Sequence, residues 1–140
     1  MKLNVASVDV WISKLKDTPG MLYEKLILLA DSGADLEFVF ARRSPEKPGT
    51  GVAFIAPIKG TRQINAAKKA GFKKGERLLA LKVTGTNRPG MGAILTAAIA
   101  DAGISIQGFS AHVLGKKFIL HLAFATKADA SKAAGILRRL

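Results

Sequence analysis

Hydrophobic residues change their spacing at two Pro-Gly turns, and both halves of the chain make the change in the same direction. Val5, Val8, Val10 and Ile12 within residues 3–14, and Leu78 to Leu81 with Val83 within 77–84, form β-compatible runs too short for helices, which predicts a strand before each turn. After the second turn, Met91, Ile94, Leu95, Ala98, Ile99 and Ala102 recur at steps of three and four, predicting a helix over about 90–102. Leu22, Leu26, Leu29 and Ala30 repeat that spacing in the first half. Pro19 and Pro89 fit the first helical position, and Gly33 and Gly103 fit left-handed C-caps. Two strands follow in each half, over 35–43 and 52–58 and over 104–113 and 117–125. A long loop, 44–51, joins the first pair and a tight turn, 114–116, the second. Ala- and Lys-rich helices close the halves over about 61–70 and 127–139. Thr61 and Thr126 are their expected N-caps, and Asp129, three residues after Thr126, approximates a capping box.

The two patterns superpose at an offset of 70 residues, half the chain. Asp17-Thr18-Pro19-Gly20-Met21 faces Asn87-Arg88-Pro89-Gly90-Met91, and Ala30-Asp31, Gly33 and Ala41 meet Ala100-Asp101, Gly103 and Ala111. Seven of 25 ungapped positions are identical, and the matches fall on helix starts and helix ends. A duplicated unit follows, with a first domain over 1–75, a second over 76–140 and the join near Lys74-Gly75-Glu76. The fold class is α+β: two ferredoxin-like units of antiparallel sheet with helices on one face.

The last strand of each unit is short of residues. Phe72-Lys73-Lys74 supplies only a stub in the first half, and the second half has none, so the sheet is expected to be completed by the other half or by a second chain. Apolar side chains occupy both faces of the predicted strands: Val8, Val10 and Ile12 alternate with Asp9, Trp11 and Ser13, while Phe118 to Phe124 alternate with Ile119, His121 and Ala123. Such two-sidedness predicts contact on the open face, hence a homodimer or higher oligomer. Trp11, in the place of Leu81, is expected in the core.

Composition narrows the chemistry. Without cysteine the chain has no disulfide, thiolate metal site or cysteine nucleophile. No run approaches the ~18–20 apolar residues of a membrane span, and the first residues lack the apolar core of a signal peptide, so a soluble, cytoplasmic protein without a membrane partner is expected. The net charge of +12 divides evenly, with 13 basic and 7 acidic residues in 1–75 and 9 and 3 in 76–140. It is consistent with solvated helix faces and loop ends, and also with an anionic partner such as nucleic acid. No Gly-rich phosphate loop, nucleophile elbow or paired carboxylate occurs, and His112 and His121 lack a third ligand. No catalytic residue, metal site or cofactor is therefore assigned, and the chain is not read as an enzyme.

The turns are the candidate site. A helix start presents unpaired N–H groups and the positive end of a dipole, which favour a carboxylate. Gly20 and Gly90 admit close approach of a ligand to the backbone. Asp17 or the Asn87 side-chain oxygen offers an acceptor to an ammonium group, so each turn has groups for both ends of a zwitterion. The competing reading is that Asp17, Thr18 and Asn87 are ordinary helix caps. The halves differ at Gly92, which replaces Leu22 and either opens space for a ligand side chain or marks a close packing point. Arg88 is a partner for a carboxylate or a solvated cation.

Strand, Asp/Asn-x-Pro-Gly, amphipathic helix ending in Ala-Asp-x-Gly, and a strand beginning Ala-Asp-Leu or Ile-Ser-Ile together resemble a tandem pair of ACT domains, over essentially the whole chain. The resemblance implies βαββαβ units, an amino acid or related small molecule bound at interfaces between units, and oligomers whose arrangement responds to that ligand. It places ligand-binding residues at Asp17, Gly20, Met21, Asn87, Arg88, Gly90, Met91 and Gly92. Gly92 departs from the Leu usual there, and no catalytic domain accompanies the pair, so an enzyme or transcription partner regulated in trans is expected. The alternative is a basic nucleic-acid-binding protein on a ferredoxin-like fold, although neither 51–56 nor 117–122 carries the aromatic pattern that stacks bases.

Overall fold

The computed structural model describes residues 1–140, except the side chains of residues 76–78, so Leu78 of the predicted strand lies outside the described residues. The elements run β1 (Asn4–Lys16), α1 (Met21–Asp31), β2 (Phe38–Arg43), β3 (Thr50–Ala56), α2 (Gly60–Lys69), β4 (Lys73–Thr86), α3 (Met91–Asp101), β5 (Gly108–Leu114), β6 (Lys117–Phe124) and α4 (Lys127–Arg138). They form two compact units, Asp9–Gly75 and Glu76–Leu140, with Met1–Val8 belonging to the latter. Each is a mixed α+β unit of the βαββαβ kind with antiparallel β2–β3 or β5–β6 pairing.

In the first unit, β1 pairs with β3 in the register Trp11–Ile55 and Ser13–Ala53, and β3 pairs with β2 in the register Ile55–Val39 and Ala53–Ala41. Trp11, Leu29, Ala53, Ile55, Ala67, Ala70 and Phe72 form its core, so Trp11 takes the interior place its alternation predicts. The expected stub is present, shifted by one residue: β4 begins at Lys73 and gives Lys73–Gly75 to this unit. Lys74 pairs there with Asp9 at 3.3 Å.

In the second unit, β4 pairs with β6 through Leu81–Leu122 and Val83–Leu120, and β6 pairs with β5 through Leu122–Phe109. Leu81, Val83, Leu95, Ile99, Phe118, Leu120, Leu122 and Phe124 are the centre of a core closed by Ala133, Ala134 and Leu137 of α4. Its missing edge is supplied by the start of the chain. Leu3 and Val5 pack on this core, and Arg138 Nη2 donates to the Val5 carbonyl at 3.0 Å. Gly85 makes room for them, since a Cβ there would stand 2.9 Å from both Leu3 and Phe118.

Helices α1 and α3 end as Gly33 and Gly103 predict, and α2 ends in the same way at Gly71. Gly33, Gly71 and Gly103 have φ of 83°, 92° and 74°, and each follows a C-cap residue. The paired bonds Gly33 N–H to Ala30 and Ala34 N–H to Leu29 recur as Gly103 to Ala100 and Ile104 to Ile99, a left-handed cap beyond which Ala34 is half-buried and Ile104 buried. Two expectations need correction. Ile94, assigned to the buried stripe of α3, is 38% exposed, because Met91, Leu95 and Ile99 alone fill the sheet-facing side. Thr61 does not cap α2: Lys59 is the N-cap, and its backbone N–H donates instead to Gln63 Oε1 at 2.8 Å. Thr126 does cap α4, accepting the Asp129 N–H at 3.1 Å.

Candidate functional site

Both Pro-Gly sequences fold as the same turn. The N–H of Met21 points to the Thr18 carbonyl and that of Met91 to the Arg88 carbonyl, each at 3.4 Å, with Gly20 at φ 87°, ψ −9° and Gly90 at φ 84°, ψ 4°. Proline at the second place and a left-handed residue at the third define a type II turn, which only glycine occupies without strain. The prolines are therefore not the first helical residues. Helices α1 and α3 begin two residues later, at Met21 and Met91, with glycine as the N-cap.

The N-caps of α1 and α3 are Gly20 and Gly90, which have no side chain, so Asp17, Thr18 and Asn87 do not occupy the N-cap position. The first-turn N–H groups of a helix have no partners inside it. Here they lie beside exposed turns, 17–20 and 87–90, with the half-buried Met21 and the buried Met91 beneath.

Asp17 and Asn87 are held by their backbones in equivalent ways. The Asp17 N–H donates to the Gly49 carbonyl at 3.0 Å and the Asn87 N–H to the Lys116 carbonyl at 2.8 Å, tying each turn to the β2–β3 or β5–β6 connection of its own unit. Their side chains differ. The Asp17 carboxylate accepts from Arg43 Nε at 2.7 Å, so its charge is already paired. At the second turn the nearby cation is Arg88, whose Nε lies 3.4 Å from Met91 Sδ, laying the guanidinium over the helix start. The space left by Gly92 adjoins the ring of Phe109, whose Cζ would stand 3.6 Å from a Cβ there. Phe109 is nevertheless 48% exposed, so it walls this space on one side only.

Lys25 shows how the first unit fixes its helices. From α1 its Nζ donates to the Ala70 carbonyl at 2.6 Å, at the C-terminus of α2, and stands 5.7 Å from the Phe72 ring centroid. A cation is favoured at both places. Burial lowers its pKa from 10.5. The sequence holds no signal for this contact, which joins residues 45 positions apart.

His112 and His121 lie on one face of the β5–β6 pair, opposite Ile119 and Ser110 respectively, and so are diagonal neighbours. Among the described residues no three His, Cys, Asp or Glu side chains gather as metal ligands, and no helix is long and apolar enough to cross a membrane.

Known proteins share this fold at low sequence identity. The structure aligns with a protein from Bacteroides thetaiotaomicron over 99% of both chains, with a TM-score of 0.74 at 15% identity. It aligns with the ligand-free regulatory subunit of aspartate kinase from Thermus thermophilus over 99% of this chain and 96% of that one, with a TM-score of 0.68 at 13% identity. A solved structure of aspartokinase alpha and beta subunits gives 0.66 at 16% identity, over 99% and 96%. No curated protein matches the sequence. In sequence, residues 77–140, which include the Asn87-Arg88-Pro89-Gly90 turn, match the family model of the ACT domain.

Proposed function

We propose that this protein is a non-catalytic regulator made of two ACT-like domains, 1–75 and 76–140 in sequence, that senses an amino acid at its Pro-Gly turns. The observation that carries the reading is the repeated turn: two helices start with a left-handed glycine, exposed backbone and no side chain of their own as a cap. A ligand carboxylate is the natural occupant of such N–H groups. The second turn is the stronger site. Its acceptor is the neutral Asn87, and Arg88 beside it adds positive charge, whereas Asp17 is engaged by Arg43. The ACT match over 77–140 and the likeness to regulatory subunits of aspartate kinase support this role.

Sensing becomes regulation if the ligand distinguishes two arrangements of the protein. The apolar side chains left on the surface, among them Ile27, Val39, Phe109 and Val113, favour a homodimer or higher oligomer. An amino acid held between a turn and a neighbouring copy would select one arrangement, read by an enzyme or transcription partner in trans. Calorimetric titration with amino acids tests the site: Asn87→Ala is expected to weaken binding at least tenfold while leaving the melting temperature of the free protein within a few degrees. Unchanged affinity in both Asn87→Ala and Asp17→Ala would remove the turns from the site.

A further inference from the structure

The sheet of the first unit has a face turned away from its helices, and its chemistry changes abruptly along the strands. Trp11 and Leu15 of β1 pack on the helix side, with the buried Ser13 between them, so Ile12, Lys14 and Lys16 occupy the opposite side. Register carries that side across the sheet. Ile12 lies opposite Phe54, which lies opposite Phe40, and the two rings are 6.1 Å apart. The next row is Lys14, Val52 and Arg42, and beyond it Lys16 faces Thr50. Strand spacing places Lys14 and Arg42 about 10 Å apart at the backbone and Lys16 about 7 Å farther along β1, within reach of one another through their long side chains.

A cleft of about 530 Å³ opens over this basic end, bounded on one side by the 44–49 loop, which brings Lys47 and Glu46 to it. Lys14, Lys16, Arg42 and Lys47 thus share one cavity with a single carboxylate. Among the described residues none of the four has a carboxylate within 4 Å, whereas the adjacent Arg43 is paired with Asp17. Clustered cations in a cleft with apolar walls concentrate anions there. The size suits a small molecule. A nucleic-acid strand needs cations along its whole track, and here they stop at the Lys14 row; the row through Ile12, Phe54 and Phe40 is apolar.

We infer that this cleft binds an organic phosphate ester, the phosphate held in it by Lys14, Lys16 and Arg42 and the flat or apolar body leaving it over Ile12 along the adjoining Phe54 and Phe40. The site is separate from the Pro-Gly helix starts, and the inference does not depend on amino-acid sensing. A nucleotide and a lipid-like amphiphile share this chemistry. Titration calorimetry of the full chain with ADP, with dodecyl phosphate below its micellar concentration, with inorganic pyrophosphate and with a twenty-nucleotide oligothymidine separates the sources. The expected result is saturable binding of ADP or of dodecyl phosphate, one per chain, weakened at least tenfold in Lys14→Gln/Arg42→Gln and unchanged in Asn87→Ala. Preference for ADP assigns a nucleotide, and preference for dodecyl phosphate an amphiphile. Both altered side chains are exposed, and an unchanged melting temperature of the double variant shows that the fold is kept. The inference is overturned if neither ester binds, if pyrophosphate binds as tightly as the esters, if the double variant binds normally, or if only the oligonucleotide binds.

Discussion

Three glycines around the helix starts have opposite tolerances for a side chain. Gly20 and Gly90 meet no atom within 4 Å of a built Cβ, yet their φ of 87° and 84° is a conformation that an L side chain resists. Gly90→Ala is therefore expected to destabilise the protein by about 1–2 kcal/mol through backbone strain alone. Gly92 is helical and its Cβ would make ordinary contact with Phe109, so Gly92→Ala is expected to stabilise by about 0.5 kcal/mol. Urea midpoints of the two variants, moving in opposite directions, check the pair. Lys25 gives a prediction in pH. Its folded pKa is lowered by desolvation, so in the window below 10.5 the unfolded chain holds more protons than the folded one, and stability rises with pH across that window. The increment is expected to vanish in Lys25→Met, as denaturation midpoints followed from neutral pH toward 10.5 would show.

At the scale of elements, caps and edges decide stability. Thr126→Ala removes the bond to the Asp129 N–H and is expected to cost about 1 kcal/mol. Thr61→Ala touches no cap, and its thermal midpoint is expected to stay within the change of about 0.5 kcal/mol typical of a surface substitution. A chain lacking residues 1–8 loses Leu3, Val5 and the acceptor of Arg138, and is expected to unfold earlier, by roughly 3 kcal/mol from the lost burial. Periodicity reveals the helices and the buried strands because local spacing determines which face a residue takes. It misplaces Ile94 because a stripe of three residues already fills the width that the sheet offers. It misplaces the prolines because Pro at the second place of a turn and Pro at a helix start share the same φ, and only the glycine after them reveals the turn. The Asp17–Arg43 pair and the basic cleft are illegible in sequence, since both depend on register between β1, β2 and β3.

At the scale of the molecule, the even spread of +12 over the sequence conceals local concentration. Pairing neutralises Arg43 while Lys14, Lys16, Arg42 and Lys47 converge on one cleft. Charge of this kind draws anions, whereas the helix starts are suited to the carboxylate of a small zwitterion. Amino-acid sensing is tested by thermal unfolding with each of the twenty amino acids at millimolar concentration, at two salt concentrations and with a poly-anion alongside. A ligand of the native state adds RT ln(1 + [L]/Kd), about 2.7 kcal/mol at ~100-fold excess over Kd. A selective rise in melting temperature with one or a few amino acids, persisting at high salt, is expected of an amino-acid sensor. No response to any of the twenty, with stabilisation by poly-anion that fades as salt rises, would contradict it.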